Sequence, residues 1–225
     1  MVTKEDIENF AKNNEKAIDS FFSKVDSLVE GRICHRTIIL LHILCSLEPI
    51  ESYMEIGTHN GGSMSMVVSN PDVSYALGVD LFENVYDESK HLNKDRFHLY
   101  SYFRRDNLSL QKTNRNIDAV KNHFESNIET QFIVGNSFFD DTEKAVAQLD
   151  RTFDLIFIDG DHTYEGVKND FQRYKKFLKP QGYILFDDYH HPAVKDFVDS
   201  IEGLERIIVF GTKNSGATQI LLKNN

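Results

Sequence analysis

Strands and helices alternate along most of this chain, and the alternation ends in two strands joined by a short turn. Segments with helical spacing separate five short apolar runs typical of strands, at residues 52–57, 75–80, 131–136, 153–159 and 182–188. Such alternation predicts a parallel, doubly wound sheet. Six residues separate the last two strands, 206–211 and 218–224, and parallel strands need a crossover of about a dozen. We therefore expect an α/β, Rossmann-like, mostly parallel seven-stranded sheet with one antiparallel strand near the C-terminus.

Two apolar periodic segments precede the first strand and predict helices at residues 4–28 and 33–47. Thr3 with Asp6 gives the first of them a capping box. The sequence has neither an internal repeat nor a linker rich in Gly, Pro or Ser. We expect one domain over residues 1–225. Residues 1–48 would form its N-terminal helices and residues 49–225 its core, with an insert at residues 82–129.

The charge balance argues against a nucleic-acid partner. Acidic residues outnumber basic ones by 35 to 25, so the net charge is −10, and a surface of this sign repels phosphate backbones. Asp106 and Asp118 dilute the one basic cluster, which we interpret as a solvated face: Arg104, Arg105, Lys112 and Arg115.

Nothing in the sequence predicts a membrane segment. The longest apolar stretch, residues 37–47, is shorter than the roughly 20 residues that span a bilayer, and the first ten residues are too charged for a signal peptide. Cys34 and Cys45 would lie roughly 16 Å apart along one helix, too far for a disulfide within it. We expect a cytoplasmic protein.

The turn after the first strand indicates a nucleoside ligand. Glycines at 57, 61 and 62 let the backbone approach a ligand closely. Glu55 at the strand end can accept hydrogen bonds from a cationic amino group, and Asp80 ends the second strand, where an acid takes ribose hydroxyls. The alternative is a simple turn with solvated acids. His59 holds the second glycine position of a dinucleotide fingerprint, which disfavours NAD.

The stretch from Tyr53 to Asn70 resembles motif I of class I S-adenosylmethionine-dependent methyltransferases, in its E-x-G-x-x-x-G form. The likeness extends over residues 50 to 223. It implies that the motif acid and glycines hold the methionine end, that Asp80 holds the ribose, and that the turn after strand three lies by the adenine. The implied cofactor-binding set is Glu55, Gly57, Thr58, Asn60, Gly61, Ser63, Asp80, Asn136, Ser137 and Asp159. A plain helix cap is the alternative for Asn136 and Ser137.

Acidic residues also follow the fourth and fifth strands. Asp159 ends one apolar run, and Asp187 and Asp188 end the next. Neighbouring strands lie about 4.8 Å apart, so these carboxylates would converge and repel one another unless something neutralises them. A hard divalent cation such as Mg²⁺ does so. The alternative is that the acids cap helices or bind the cofactor without a metal.

A base is expected beside this cluster, because a cation that binds a hydroxyl lowers its pKa and a nearby group takes the proton. His162 lies three residues beyond Asp159 and titrates near neutrality. Asp161 is the rival base. His190 and His191 would line the acceptor pocket or face solvent.

The segments around Asp159 and Asp187 resemble those of metal-dependent O-methyltransferases, of the catechol type and of the type that methylates macrolide and aminocoumarin sugars. The resemblance implies Asp159, Asp187 and Asp188 as Mg²⁺ ligands and His162 as the base. It implies S-adenosylmethionine as methyl donor and a small molecule or glycan as acceptor.

The insert between strands two and three is unusually long for a parallel sheet. Its aromatic and polar residues would suit a sugar or a phenol, and we favour the sugar: Tyr86, His91, Phe97, His98, Tyr100, Tyr102 and Phe103. A homo-oligomer contact is the other interpretation. Two alternatives to an O-methyltransferase stay open, an NAD-dependent oxidoreductase and a non-catalytic cofactor-binding module.

Overall fold

The computed structural model describes residues 1–31, 33, 36–82, 109–211 and 216–224. Its strands are β1 (Ser52–Ile56), β2 (Tyr75–Asp80), β3 (Glu129–Val134), β4 (Phe153–Ile158), β5 (Leu178–Phe186), β6 (Leu204–Gly211) and β7 (Thr218–Asn224). Its helices are α1 (Lys4–Asn13), α2 (Glu15–Leu28), α3 (Ile39–Leu47), α4 (Gly62–Val68), α5 (Leu110–His123), α6 (Asp140–Ala147), α7 (Tyr164–Tyr174) and α8 (Pro192–Asp199). Short 3₁₀ helices precede α3 and β5, at Arg36–Ile38 and Lys175–Phe177.

The seven strands form one sheet in the order β3-β2-β1-β4-β5-β7-β6. The first five strands in this order, β3 to β5, are parallel to one another. β7 lies between β5 and β6 and is antiparallel to both. The predicted Rossmann-like sheet with a reversed strand near the C-terminus is therefore confirmed, and the switch point between β1 and β4 is where such sheets place their ligands.

Both faces of the sheet are covered by apolar helices. α1 to α5 pack on one face, where Ile7, Val25 and Leu44 are buried with Tyr53 of β1. α6 to α8 pack on the other face, with Val146, Val167 and Phe197 among the buried residues. A strand covered on both sides needs a continuous apolar run, which explains the FDLIFI sequence of β4.

Several predicted boundaries were wrong. Residues 4–28 form two helices that meet at Asn14, where the backbone leaves the helical conformation (φ −114°, ψ 17°) and the side chain donates to the Phe10 carbonyl at 2.9 Å. The helix predicted over 33–47 begins as a 3₁₀ turn at Arg36. β5 starts four residues early, since Pro180 and Gln181 form an irregularity within the strand rather than a loop before it.

Other predictions are confirmed at single residues. Thr3 and Asp6 form the capping box at the start of α1. Cys45 is buried and free, while Cys34 lies outside the described residues, as do Arg104, Arg105 and the insert aromatics from Tyr86 to Phe103. The solvated face predicted for the basic cluster is wrong at Lys112, which is buried, whereas Arg115 is exposed and pairs with Glu30. None of the described helices combines the length and apolar composition that crossing a bilayer demands.

Asp154 of β4 forms hydrogen bonds with residues near the starts of β1 and β5. Its loss should therefore destabilise the fold. Its Oδ2 accepts from the Ser52 amide at 2.9 Å and hydroxyl at 2.7 Å, and from Lys179 Nζ at 2.9 Å. Replacing Asp154 with alanine should lower the free energy of unfolding by about 2–3 kcal/mol. Asp141→Ala, which removes an exposed carboxylate paired only with Lys144 among the described residues, is the control and should change it by less than about 0.5 kcal/mol.

The destabilisation should also depend on pH. Burial raises the pKa of Asp154, but Lys179 and Ser52 outweigh it, so the pKa lies below its usual range. A carboxyl with a lowered folded-state pKa stabilises above its unfolded pKa of about 3.9 and loses that stabilisation as the pH falls. The difference in urea unfolding between Asp154→Ala and wild type should therefore be larger at pH 7 than at pH 3. An equal difference at both pH values would contradict the role of the charge.

Candidate active site

The loops at the carboxyl ends of the parallel strands are hydrogen-bonded to one another. The amide of Gly57 donates to the Val79 carbonyl at 2.9 Å, and that of Gly135 donates to Asp80 at 2.8 Å. The backbone amide of Asp159 donates to the Ile56 carbonyl at 2.9 Å, and that of Asp187 donates to the Ile158 carbonyl at 3.1 Å. The four loops that carry the predicted site residues therefore meet along one edge of the sheet.

The turn after β1 touches the loop after β4. Gly57 has φ +91°, and a Cβ at this position would lie 2.1 Å from the Asp159 carbonyl oxygen. Gly61, with φ +79°, caps α4, and a Cβ there would crowd Ile117 and Thr113 of α5. Both positions therefore require glycine, as the sequence predicted for a turn that approaches a ligand closely.

Glu55 is fully buried beneath this turn. Its Oε2 accepts hydrogen bonds from the hydroxyls of Tyr53 at 2.5 Å and Ser63 at 3.0 Å, while Oε1 has no hydrogen-bond partner among the described residues. Burial raises the pKa of Glu55 to about 8, opposed by the hydroxyls of Tyr53 and Ser63. A cationic amino group at Oε1 would satisfy both the oxygen and the charge, so the site fits the methionine end of the cofactor.

Asp80 holds the turn as well as facing the ligand side of the sheet. Its Oδ2 accepts from the His59 amide at 2.8 Å and its Oδ1 from the Phe82 amide at 2.7 Å. His59 and Phe82 both have φ +48°, a conformation in which strain is often associated with function. His59 thus adopts a left-handed backbone that glycine would favour, and the hydrogen bond from its amide to Asp80 stabilises that conformation.

Asn136 and Ser137 lie in the turn after β3. The Asn136 side chain accepts from the Phe138 amide at 2.9 Å, and the Ser137 carbonyl accepts from the Tyr174 hydroxyl at 3.1 Å. Phe139, rather than either residue, is the cap of α6. The helix-cap alternative is thus wrong, while adenine contact stays a prediction.

Helix α5 contacts the turn after β1, residues 57–61, which we call the cofactor turn. The sequence did not predict these contacts. Thr113 Oγ1 donates to the His59 carbonyl at 2.7 Å, and Asn116 Nδ2 donates to the carbonyl of Asn60 at 2.9 Å. Thr58 and Asn60 are buried below it. These contacts join residues 54 and 56 positions apart in the sequence, so no local pattern connected the helix to the turn.

His162 lies between two of the predicted metal ligands. Its Nε2 is 3.2 Å from Asp159 Oδ1, and its Nδ1 is 2.8 Å from Asp188 Oδ2. The ring is only partly exposed. The structure therefore brings the proposed base into direct contact with the acids that follow β4 and β5.

The acids and His162 perturb one another's pKa values. Loss of hydration lowers the pKa of His162, but hydrogen bonds to Asp159 and Asp188 outweigh it, so the pKa lies well above its usual value. Burial and the neighbouring Asp159 and Asp188 raise the pKa of Asp187 to about 7. Burial likewise raises the pKa of Asp159, against the effect of His162. Such clusters are typical of functional sites.

The remaining residues of these two loops have mainly local contacts. Asp161 Oδ1 accepts from the Thr163 amide at 2.9 Å and so shapes the start of α7. Asp188 has φ +49°, and Asp tolerates this left-handed conformation better than most residues. His190 Nδ1 accepts from the Thr218 amide at 3.3 Å, and His191 is exposed at the cap of α8.

The three carboxylates suit a hard divalent cation by chemistry and charge. Oδ1 of the buried Asp187 has no hydrogen-bond partner within the described ranges. Across those ranges, however, no three His, Cys, Asp or Glu side chains are arranged to hold a metal ion, and His162 lies between Asp159 and Asp188. Binding of Mg²⁺ by Asp159, Asp187 and Asp188 therefore stays a prediction.

Sequence comparison places this site within a known family. Residues 54–189, which include the end of β1, the cofactor turn and both acidic loops, match the family described as methyltransferase domain. The uncharacterized protein R132 of Acanthamoeba polyphaga mimivirus is 29% identical over 160 residues, covering 67% of this chain and 61% of that protein. The chain thus spans less than two thirds of the length of this relative.

Solved structures share the fold at low identity. The O-methyltransferase TomG of Streptomyces achromogenes is 16% identical, with a TM-score of 0.55 and coverage of 91% of this chain and 89% of that one. The O-methyltransferase NovP is 18% identical, with a TM-score of 0.57 and coverage of 84% and 78%. An O-methyltransferase from Bacillus cereus is 13% identical, with a TM-score of 0.53 and coverage of 99% and 98%. The chain therefore belongs to the methyltransferase domain family and has the Rossmann-like fold of class I S-adenosylmethionine-dependent methyltransferases.

Proposed function

We propose that this chain is an S-adenosylmethionine-dependent O-methyltransferase, assisted by Mg²⁺, that methylates a hydroxyl of a small acceptor. One observation carries the proposal: the acid–histidine cluster of Asp159, His162, Asp187 and Asp188 touches the cofactor turn, since the Asp159 carbonyl lies against Gly57. The donor end of the cofactor and a proton-accepting group would thus lie side by side. The printed descriptions of TomG, NovP and the Bacillus cereus protein as O-methyltransferases support oxygen as the acceptor atom.

The proposed chemistry requires little of the protein beyond positioning and proton removal. The methyl group of a sulfonium is already electrophilic, so transfer needs an oxygen nucleophile in line with it. A hard cation held by Asp159, Asp187 and Asp188 would lower the pKa of an acceptor hydroxyl. Glu55 would bind the cofactor's amino group through Oε1, and the glycine turn would set the cofactor's depth in the cleft.

His162 would take the acceptor proton. Carboxylates contact both of its ring nitrogens and hold a proton on the imidazole, so His162 would serve as the base once a cation bound by Asp159 and Asp188 offsets their negative charge. Asp161 remains the rival base, although its Oδ1 is engaged by the Thr163 amide. Both residues lie in the loop that follows β4, so substitution at each position separates the two roles.

A sugar or glycan hydroxyl is the acceptor we favour. The support is compositional: the segment before α5 contains Tyr86, Tyr100 and Tyr102 together with His91 and His98, and aromatic faces with polar edges suit a sugar ring. A homo-oligomer contact is the other role that this segment would fill. A methyl-transfer screen over sugars and catechols, with and without Mg²⁺, tests the acceptor class directly.

Cofactor binding should be visible as thermal stabilisation. A ligand at about 100 times its Kd adds about 2.7 kcal/mol of stability, which raises the Tm of a chain of this size by roughly 5–10 °C. S-adenosylmethionine should produce this shift, whereas NAD at the same concentration should leave the Tm unchanged. A shift with NAD alone would favour the oxidoreductase alternative.

The metal requirement is tested in the same protein. With an acceptor identified by the screen, EDTA should abolish turnover, and excess Mg²⁺ should restore it. Full turnover in EDTA would remove the metal from the proposal while leaving the methyltransferase assignment intact. Cofactor binding without turnover on any sugar or catechol would favour a non-catalytic binding module.

A further inference from the structure

Tyr53 lies directly below the cofactor turn. It stands two residues before Glu55 on β1, so both side chains project from the same face of the sheet. Both are fully buried, and the Tyr53 hydroxyl lies 2.5 Å from Glu55 Oε2. A carboxylate has no proton to give, so the tyrosine donates this bond. Hydrogen bonds from a neutral donor to a buried carboxylate are among the strong ones in proteins.

The two donors to Glu55 reach the same oxygen. Ser63, in the first turn of α4, donates to Oε2 at 3.0 Å. Ser63 follows Glu55 in the sequence, whereas Tyr53 precedes it. Oε1 is left without a partner among the described residues. Two bonds to one oxygen fix the rotation of the carboxylate about its last torsion, which is otherwise broad. The bonded edge and the open edge of Glu55 are therefore distinct.

We propose that Tyr53 is a positioning residue for cofactor binding: its hydroxyl holds Oε2 of Glu55, so that Oε1 is presented to the ammonium group of the cofactor's methionine end. This inference rests on the proposed function. Apart from this hydrogen bond, Tyr53 is part of the apolar core.

The electrostatics of the pocket make such a donor useful. Burial raises the pKa of Glu55 to about 8 even with Tyr53 and Ser63 bonded to it. Asp159, at the end of β4, adds to the rise, and Thr58 opposes it. Without the tyrosine donor the ionised carboxylate would be less favourable still, and it is the ionised form that pairs with an ammonium group.

Calorimetry on the full chain with two probes tests the role of Tyr53. S-adenosylhomocysteine carries the amino acid end, and 5′-methylthioadenosine shares the nucleoside but lacks it. Tyr53→Phe should weaken S-adenosylhomocysteine by about 10- to 100-fold, the effect of one hydrogen bond to a charged group. It should leave 5′-methylthioadenosine unchanged. In turnover, the KM for S-adenosylmethionine should rise while kcat is kept.

Tyr75→Phe is the matched control. Tyr75 is a buried tyrosine on the neighbouring strand, its hydroxyl bonds Gln131 at 2.9 Å, and it packs on the opposite face of the sheet. This variant should bind both probes as the wild type does. Ser63→Ala, which removes the second donor, should reproduce the selective loss of S-adenosylhomocysteine affinity.

A double-mutant cycle with Glu55→Gln completes the test. If Tyr53 acts through Glu55, Tyr53→Phe should cost little further affinity in the Glu55→Gln background. Equal weakening of both probes by Tyr53→Phe, or no weakening of either, would overturn the positioning role, as would full additivity of the two changes. Failure of wild type to bind S-adenosylhomocysteine would instead overturn the proposed function.

Discussion

Replacing His162 with alanine should lower the methyl-transfer rate by about 10²–10⁴-fold, the usual contribution of a general base, while cofactor affinity changes little. The imidazole contacts the side chains of Asp159 and Asp188, whereas the hydroxyls that hold Glu55 belong to Tyr53 and Ser63. Turnover with the acceptor found by the screen, together with calorimetric binding of S-adenosylhomocysteine, measures the two effects separately. A loss in kcat without a loss in affinity is the result expected of a base.

His191→Ala is the control for this substitution. His191 lies three residues beyond Asp188 but is exposed at the cap of α8, so its loss should leave turnover within about twofold of wild type, as for most surface changes. Unchanged turnover in His162→Ala would exclude the histidine as base. Loss of turnover in Asp161→Asn, with His162→Ala active, would assign the proton to Asp161.

Replacing Gly57 with alanine should have the largest effect on the fold of the site. The new Cβ would lie 2.1 Å from the Asp159 carbonyl oxygen and 3.0 Å from the Gly160 amide nitrogen, both backbone atoms that a side-chain rotation cannot clear. Overpacking and the left-handed backbone together should lower the free energy of unfolding by about 3 kcal/mol. S-adenosylhomocysteine binding should be lost as the loops after β1 and β4 separate.

Gly203→Ala distinguishes the steric cause from the conformational one. Gly203 also has a positive φ, +78°, but a Cβ there would meet nothing within 4 Å. This variant should lose only about 1 kcal/mol, the cost of the left-handed conformation, and should keep full cofactor binding. Urea unfolding and calorimetry on both variants test this. Equal destabilisation by the two alanines would contradict the proposed contact between the cofactor turn and Asp159.

The sheet topology could be predicted because each part of it leaves a local signature. The continuous apolar run of β4 is typical of a strand covered on both faces, and the short connection before β7 forces its reversal. The boundary errors arose where side chains or irregular backbone compete with the regular pattern. Asn14 interrupts the helical backbone between α1 and α2 while its side chain bonds the Phe10 carbonyl. Gln181, with φ +63°, lies inside β5 although its sequence is typical of a turn.

The location of the site could be predicted, but its contacts could not. Strand ends identify Glu55, Asp80 and Asp159, because parallel strands bring their carboxyl ends to one edge. The clamp by Thr113 is long-range and had no sequence signal. Tyr53 did have one, since it shares a face of β1 with Glu55, but an apolar neighbourhood makes a tyrosine there resemble ordinary core.

The placement of β7 between β5 and β6 bears on how the protein is made. The last strand lies beside the loop that carries Asp187: Gln219 is its neighbour across the sheet, and the Tyr189 amide donates to the Thr218 carbonyl at 2.8 Å. During synthesis the segments emerge from N- to C-terminus. The parallel half of the sheet, with the cofactor turn, can therefore assemble while residues 218–224 are still within the ribosome. The acidic loop after β5 gains its supports from β7 only once residues 218–224 have emerged, so the cofactor turn would be in place before the acidic loop is.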